Sequence, residues 1–134
     1  MSTASQPDAR DRPPPRAHDA VWPRRLPRRI TPPDTALWHN LAISALRYPD
    51  KPATVFFGSV LTYAQLHDQA ERLAGRLQSL GVTKGDRVVL HMQNCPQLVV
   101  AHWAILRADA VVVPVNPMNK AEELRHYLLD PDAR

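Results

Sequence analysis

The stretch Arg87-Val-Val-Leu-His-Met-Gln-Asn-Cys-Pro-Gln-Leu-Val-Val-Ala-His-Trp-Ala-Ile-Leu-Arg-Ala-Asp-Ala-Val-Val-Val-Pro-Val115 decides the fold. It opens on a short apolar run, Arg87 to His91, whose Val88-Val89-Leu90 centre reads as a buried strand. Asn94 is a candidate helix cap, and Pro96 is tolerated in a first helical turn. From Leu98 to Leu106 the chain is apolar on nearly every helical face, which requires neighbours on several sides. Val111 to Val115 is a second β-branched run. Strand, helix and strand in this order predict a right-handed βαβ unit with parallel strands.

Upstream, Asp34 or Thr35 offers a capping side chain before Trp38, Leu41, Ala42 and Ala45, which have helical spacing, and Tyr48-Pro49 ends that helix. Ala53 to Phe57 and Val60 to Tyr63 form a predicted β-hairpin turning at Gly58-Ser59. Thr62 and Gln65 form a Thr-x-x-Gln capping box, after which Leu66, Ala70, Leu73, Leu77 and Leu80 line one face until Gly81 supplies a left-handed stop. Gly85-Asp86 makes a turn. Downstream, Asn119 with Glu122 opens a last helix carrying Leu124, Tyr127 and Leu128 and stopping before Pro131. The fold class is therefore α/β: a hairpin plus a parallel βαβ unit with flanking helices. Two parallel strands and few helices leave the sheet incomplete.

The first 33 of the 134 residues differ in kind, holding eight of the 14 prolines and seven arginines against three aspartates. A segment so poor in apolar periodicity cannot offset its chain entropy, so residues 1–33 read as a disordered Arg/Pro-rich arm and 34–134 as the folded part. The folded part balances ten Lys or Arg with ten Asp or Glu, and the net +4 lies in the arm. With basic residues interleaved with proline rather than laid along a helix face, nucleic-acid binding is not expected. No apolar run approaches the ~18 residues of a membrane span. Arg24-Arg25 lacks a following apolar segment, and Cys95 as the only cysteine excludes an internal disulfide. A cytoplasmic location is the expectation.

Four segments together resemble the AMP-forming acyl-CoA synthetases, within the adenylate-forming enzymes. Leu61-Thr62-Tyr63-Ala64-Gln65-Leu66 is similar to the family's first core motif, with Gln65 where Glu is common. Leu80-Gly81-Val82 through Lys84-Gly85-Asp86-Arg87-Val88 resembles its turn and following strand. Ile105-Leu106-Arg107-Ala108-Asp109-Ala110 through Val113-Pro114-Val115-Asn116 looks like its second core motif, with Asp109 where Gly is usual. The tail from Pro117 to Arg134, with Glu122-Glu123-Leu124, resembles bacterial long-chain fatty-acid–CoA ligases. The resemblance covers about Leu37 to Arg134.

It implies the amino-terminal part of a large adenylation domain, truncated here. Full-length members activate a carboxylic acid with ATP and Mg²⁺ to an acyl-adenylate and pass the acyl group to CoA. Their phosphate loop, their acidic ribose and Mg²⁺ ligands and their catalytic lysine have no counterpart in these residues. No catalytic, cofactor-binding or metal residue is therefore assigned, and the fragment alone is expected to be inactive and to bind no cofactor.

The residues agree independently of the resemblance. Cradling a triphosphate needs closely spaced small residues at a helix start, whereas Gly58, Gly75, Gly81 and Gly85 are scattered. Lys51, Lys84 and Lys120 sit near turns or helix starts and read as solvated. The six histidines fall on different elements without metal-ligand spacing. Cys95 lies near a helix start, where a thiolate would be stabilised, yet no partner base is identifiable. Trp103 could wall an acyl tunnel but fits core packing better. An alternative is a non-catalytic interaction module that docks onto a full-length synthetase or a missing carboxyl-terminal half, with self-association through exposed apolar surface a related expectation.

Overall fold

A computed structural model describes residues 20–23, 25–27, 30 and 32–129. The chain divides into two compact units, Met1–Asp34 and Thr35–Arg134. In the first, the Leu26 amide donates to Pro23 O at 3.0 Å and Trp22 Nε1 donates to Leu26 O at 3.2 Å. The expectation of disorder over residues 1–33 falls mostly outside the described residues.

The second unit runs α1 (Trp38–Arg47), β1 (Pro52–Phe56), β2 (Ser59–Thr62), α2 (Tyr63–Ser79), β3 (Arg87–His91), α3 (Pro96–Arg107), β4 (Val111–Val115) and α4 (Ala121–Leu129). Strands β1 and β2 pair antiparallel, and β3 and β4 pair in parallel with Arg87 opposite Val111 and His91 opposite Val115. The α/β hairpin-plus-βαβ architecture is as read from the sequence. Its core gathers Trp38 and Leu41 from α1, Leu66, Ala70 and Ala74 from α2, and Val100, Ala104 and Ile105 from α3. The helices thus bury their stripes chiefly against one another. The sheet is half-covered: Leu90 and Val115 are buried, whereas Val88, Val89, Val112 and Val113 are only half-buried. Of the strand centre read as buried, Leu90 is buried and Val88 and Val89 are half-buried, since this sheet has two strands among the described residues.

Element ends correct four local readings. No side chain caps α1; its start is held by backbone bonds from His39 N to Ala36 O and from Asn40 N to Leu37 O, both 3.0 Å, so neither Asp34 nor Thr35 is used. The hairpin turns at Phe57-Gly58, one residue earlier than Gly58-Ser59, with φ of 45° and 81°. Two positive φ values define the type I′ geometry whose twist matches the flanking strands. At α3 the N-cap is Cys95, not Asn94, and no side chain caps it. In the last helix Glu123 Oε2, rather than Glu122, reaches back to the Lys120 amide at 2.8 Å. Pro131 lies outside the described residues.

The capping box of α2 forms as expected: Gln65 N donates to Thr62 Oγ1 at 3.3 Å and Thr62 N to Gln65 Oε1 at 3.0 Å. Leu80, however, is 64% exposed, because the helix has already ended and Val82 takes the apolar position beneath it.

Two helices end in the same manner. After α2, Val82 N bonds to Leu77 O and Gly81 N to Gln78 O; after α3, Ala110 N bonds to Ile105 O and Asp109 N to Leu106 O. Both are Schellman motifs, which place one residue in left-handed conformation. Gly81 has φ 93° and Asp109 has φ 57°. A β-carbon in that region is strained. Asp109→Gly is expected to stabilise the fold by about 1 kcal/mol, offset in part by greater freedom of the unfolded glycine. A thermal melt should move up by about 4–8 °C; an unchanged or lower midpoint would show that Asp109 is unstrained.

Candidate functional site

In open α/β sheets, ligands bind outside the carboxyl ends of the strands. Here the loops that leave β3 and β4 at those ends enclose an open cleft of about 520 Å³. Leu90, Met92, Leu98, Val115 and Met118 supply its apolar wall. Gln93, Asn94 and Asn116 supply its amides. The Asn116 side chain is already engaged, its Oδ1 accepting from the Met118 amide at 2.9 Å, which fixes the turn after β4. No charged, hydroxyl or imidazole side chain is among the described residues that line it. Such a wall can hold an apolar group and orient it with amides; it offers neither a base nor a nucleophile.

Cys95 stands at the cleft's edge as the α3 N-cap, half-buried, with its carbonyl accepting from Leu98 N at 3.1 Å. The glycines are remote from this end. Gly58 occupies the hairpin turn, Gly75 is exposed on α2, and Gly85 donates its amide to Asp109 O at 2.9 Å at the amino end of the parallel pair. Lys51 Nζ lies 4.1 Å from the Tyr48 ring centre, Lys84 is exposed before β3, and Lys120 precedes α4. Among the described residues, no three His, Cys, Asp or Glu side chains converge as metal ligands would. No described helix is long and apolar enough to cross a membrane.

Trp103 packs edge-on to Trp38 at 6.5 Å between ring centres and lines a second, smaller cavity of about 230 Å³ with Leu41, Tyr63, Leu66 and Val99. It is therefore part of the helical packing and stands apart from the cleft. Arg107 joins α3 to α2 through Glu71, Nε to Oε1 at 2.8 Å, with its guanidinium 5.7 Å from the Trp38 ring. Both partners are substantially exposed, so this contact orients more than it stabilises.

The cleft was not read from the sequence, where Leu90, Asn94, Pro114 and Asn116 stood out only as strand, cap or motif residues. The signal that could have found them is positional: each lies within a few residues of the carboxyl end of a strand in a βαβ unit.

The model of the AMP-binding enzyme family matches residues 41–134. The long-chain-fatty-acid–CoA ligase of Bacillus subtilis (strain 168) is 39% identical over 111 residues, which are 83% of this chain and 20% of that protein. The salicyl-AMP ligase / salicyl-S-ArCP synthetase of Mycobacterium tuberculosis is 41% identical over 92 residues, 65% of this chain and 16% of that protein. Among solved structures, the N-terminal subdomain of Klebsiella oxytoca NpsA in complex with anthranilyl-AMSN superposes with a TM-score of 0.71 at 30% identity, over 74% of this chain and 26% of that one. The chain thus spans about a fifth of the length of the ligase from Bacillus. With most of the second unit matched in order and in fold, the chain belongs to the AMP-binding enzyme family.

Proposed function

We propose that the chain is the amino-terminal portion of an ATP-dependent ligase that activates a fatty acid as its acyl-adenylate and transfers it to CoA. The observation that carries this is the 39% identity to a long-chain-fatty-acid–CoA ligase across 83% of the chain. On this reading residues 35–129 supply a scaffold and one wall. The groups that hold ATP, Mg²⁺ and CoA belong to the rest of such an enzyme. The 134 residues by themselves are catalytically silent. The protein acts in the cytoplasm.

A chimera tests this, with residues 37–134 replacing the matched segment of the Bacillus relative. Fatty-acid-dependent pyrophosphate release is expected from the chimera and none above a boiled control from the 134-residue chain. Turnover by the chain alone overturns its silence. A chimera that is folded but inert with fatty acids, or active only with salicylate, overturns the assignment.

The half-covered valines of β3 and β4 favour a second reading, a non-catalytic module docking onto the remaining part of a synthetase. Supplying the chain in trans to the Bacillus enzyme deprived of its matched segment separates the two readings. Activity restored only in the covalent chimera leaves the first.

A further inference from the structure

The match to known ligases does not stop at the second unit. The long-chain-fatty-acid–CoA ligase of Yersinia pestis is 39% identical over 121 residues, which are 86% of this chain and 22% of that protein. That share is about 115 of the 134 residues, whereas Thr35–Arg134 supplies only 100. About 15 residues of the first unit, reaching back to Ala20, are therefore matched as well.

The same stretch holds local structure. The Leu26 amide donates to Pro23 O at 3.0 Å, which closes a four-residue turn, and Trp22 Nε1 donates to Leu26 O at 3.2 Å. Pro23 and Pro27 flank the turn and restrict the unfolded chain there. The turn does not use up its apolar side chains: Val21 is 83%, Leu26 55% and Ile30 87% exposed. Segments that stay solvated are poor in aromatic and β-branched residues, and this one carries a tryptophan, a valine and an isoleucine within ten positions.

We propose, on the ligase reading above, that residues 20–34 are a docking segment of the enzyme, whose Trp22–Leu26 turn seats its apolar side chains on the part that follows residue 134. Length argues for this occupant. The chain spans 22% of the Yersinia protein, so nearly four-fifths of such an enzyme is available to cover a segment matched with it.

Arg25 offers the readout. It is exposed and directly precedes Leu26, so trypsin cuts after it wherever the turn is open to solvent. Two proteins are compared: the 134-residue chain, and a chimera in which residues 1–134 continue into the part of the Bacillus relative that follows its matched segment. Cleavage after Arg25 is expected to be about tenfold or more slower in the chimera, and Trp22→Ala with Leu26→Ser should return it to the rate of the short chain. Equal rates in the two proteins overturn the proposal, as does slowing that survives the double substitution. Slowing that grows with chimera concentration overturns it in favour of a second copy. Pyrophosphate release is followed on the same chimera. A folded but inert chimera that keeps the slow cleavage supports the docking and tells against the ligase reading; an active chimera cut as fast as the short chain overturns the docking alone.

Discussion

Ile105→Ala is expected to lower the thermal midpoint of the second unit by roughly 10–25 °C, a loss near 3 kcal/mol. Ile105 is 2% exposed and lies on α3 within the cluster formed with α1 and α2. Removing its outer atoms forfeits their transfer free energy and leaves a cavity that three helices crossing one another cannot close. Its position aggravates the effect. The Ile105 carbonyl accepts from Ala108 N and Ala110 N, and its side chain sits at the point where the Schellman motif packs the chain back on the helix. A domain of this size has a stability of about 5–15 kcal/mol at best, so the variant should be visibly less cooperative at 37 °C. Leu80→Ala is the control. Leu80 is larger than alanine by a similar volume but mostly exposed, and its loss should stay within about 0.5 kcal/mol. Circular-dichroism melts of the two variants decide the matter: equal shifts would mean that the helical cluster is not the core.

How much of this was legible in the sequence depends on the range of the interaction that sets each feature. The capping box at Thr62 and Gln65 is settled within four residues, so it could be read directly. The left-handed backbone at Asp109 is set over an equally short range, since a Schellman end needs one such residue whatever its side chain, and the usual Gly at that place was its sign in the sequence. The parallel pairing of β3 and β4 followed from a long apolar helix between two β-branched runs.

Elsewhere local preference misled. Gly58-Ser59 looked like the hairpin turn because that pair suits a tight turn, yet cross-strand pairing of Phe56 with Ser59 places Phe57 in the turn. Asn94 is the better capping residue by preference, but Cys95 occupies the N-cap because Pro96, fixed in φ and lacking an N–H, takes the first helical position. The cleft was not legible. It exists only once two loops separated by some twenty residues emerge side by side from parallel strands.

Ala104→Leu is expected to destabilise by about 1–3 kcal/mol, for the opposite reason to Ile105→Ala. The most extensive contact between elements is that of α2 with α3, and their buried residues mix large side chains, Leu66, Val100 and Ile105, with small ones, Ala70 and Ala74 on one helix and Ala104 and Ala108 at or beside the end of the other. Ala70 and Ala104 have no exposed surface at all. Side chains of this size let two helices approach toward the short end of the usual 8–10 Å separation. A leucine at 104 therefore has no cavity to enter, and the helices must part or the side chain must leave its preferred rotamer. The displacement would not stay local. The same α3 carries Leu98 of the cleft wall, and its last turn hands over to β4 through Asp109, so moving α3 moves both walls of the cleft. The melt should fall by at least about 4 °C. In the chimera with the Bacillus relative, the substitution should reduce fatty-acid-dependent pyrophosphate release although residue 104 faces the core. A variant with an unchanged melt would mean that α2 and α3 are not closely packed; a lowered melt with full activity would detach the cleft from the helical core that is argued to position it.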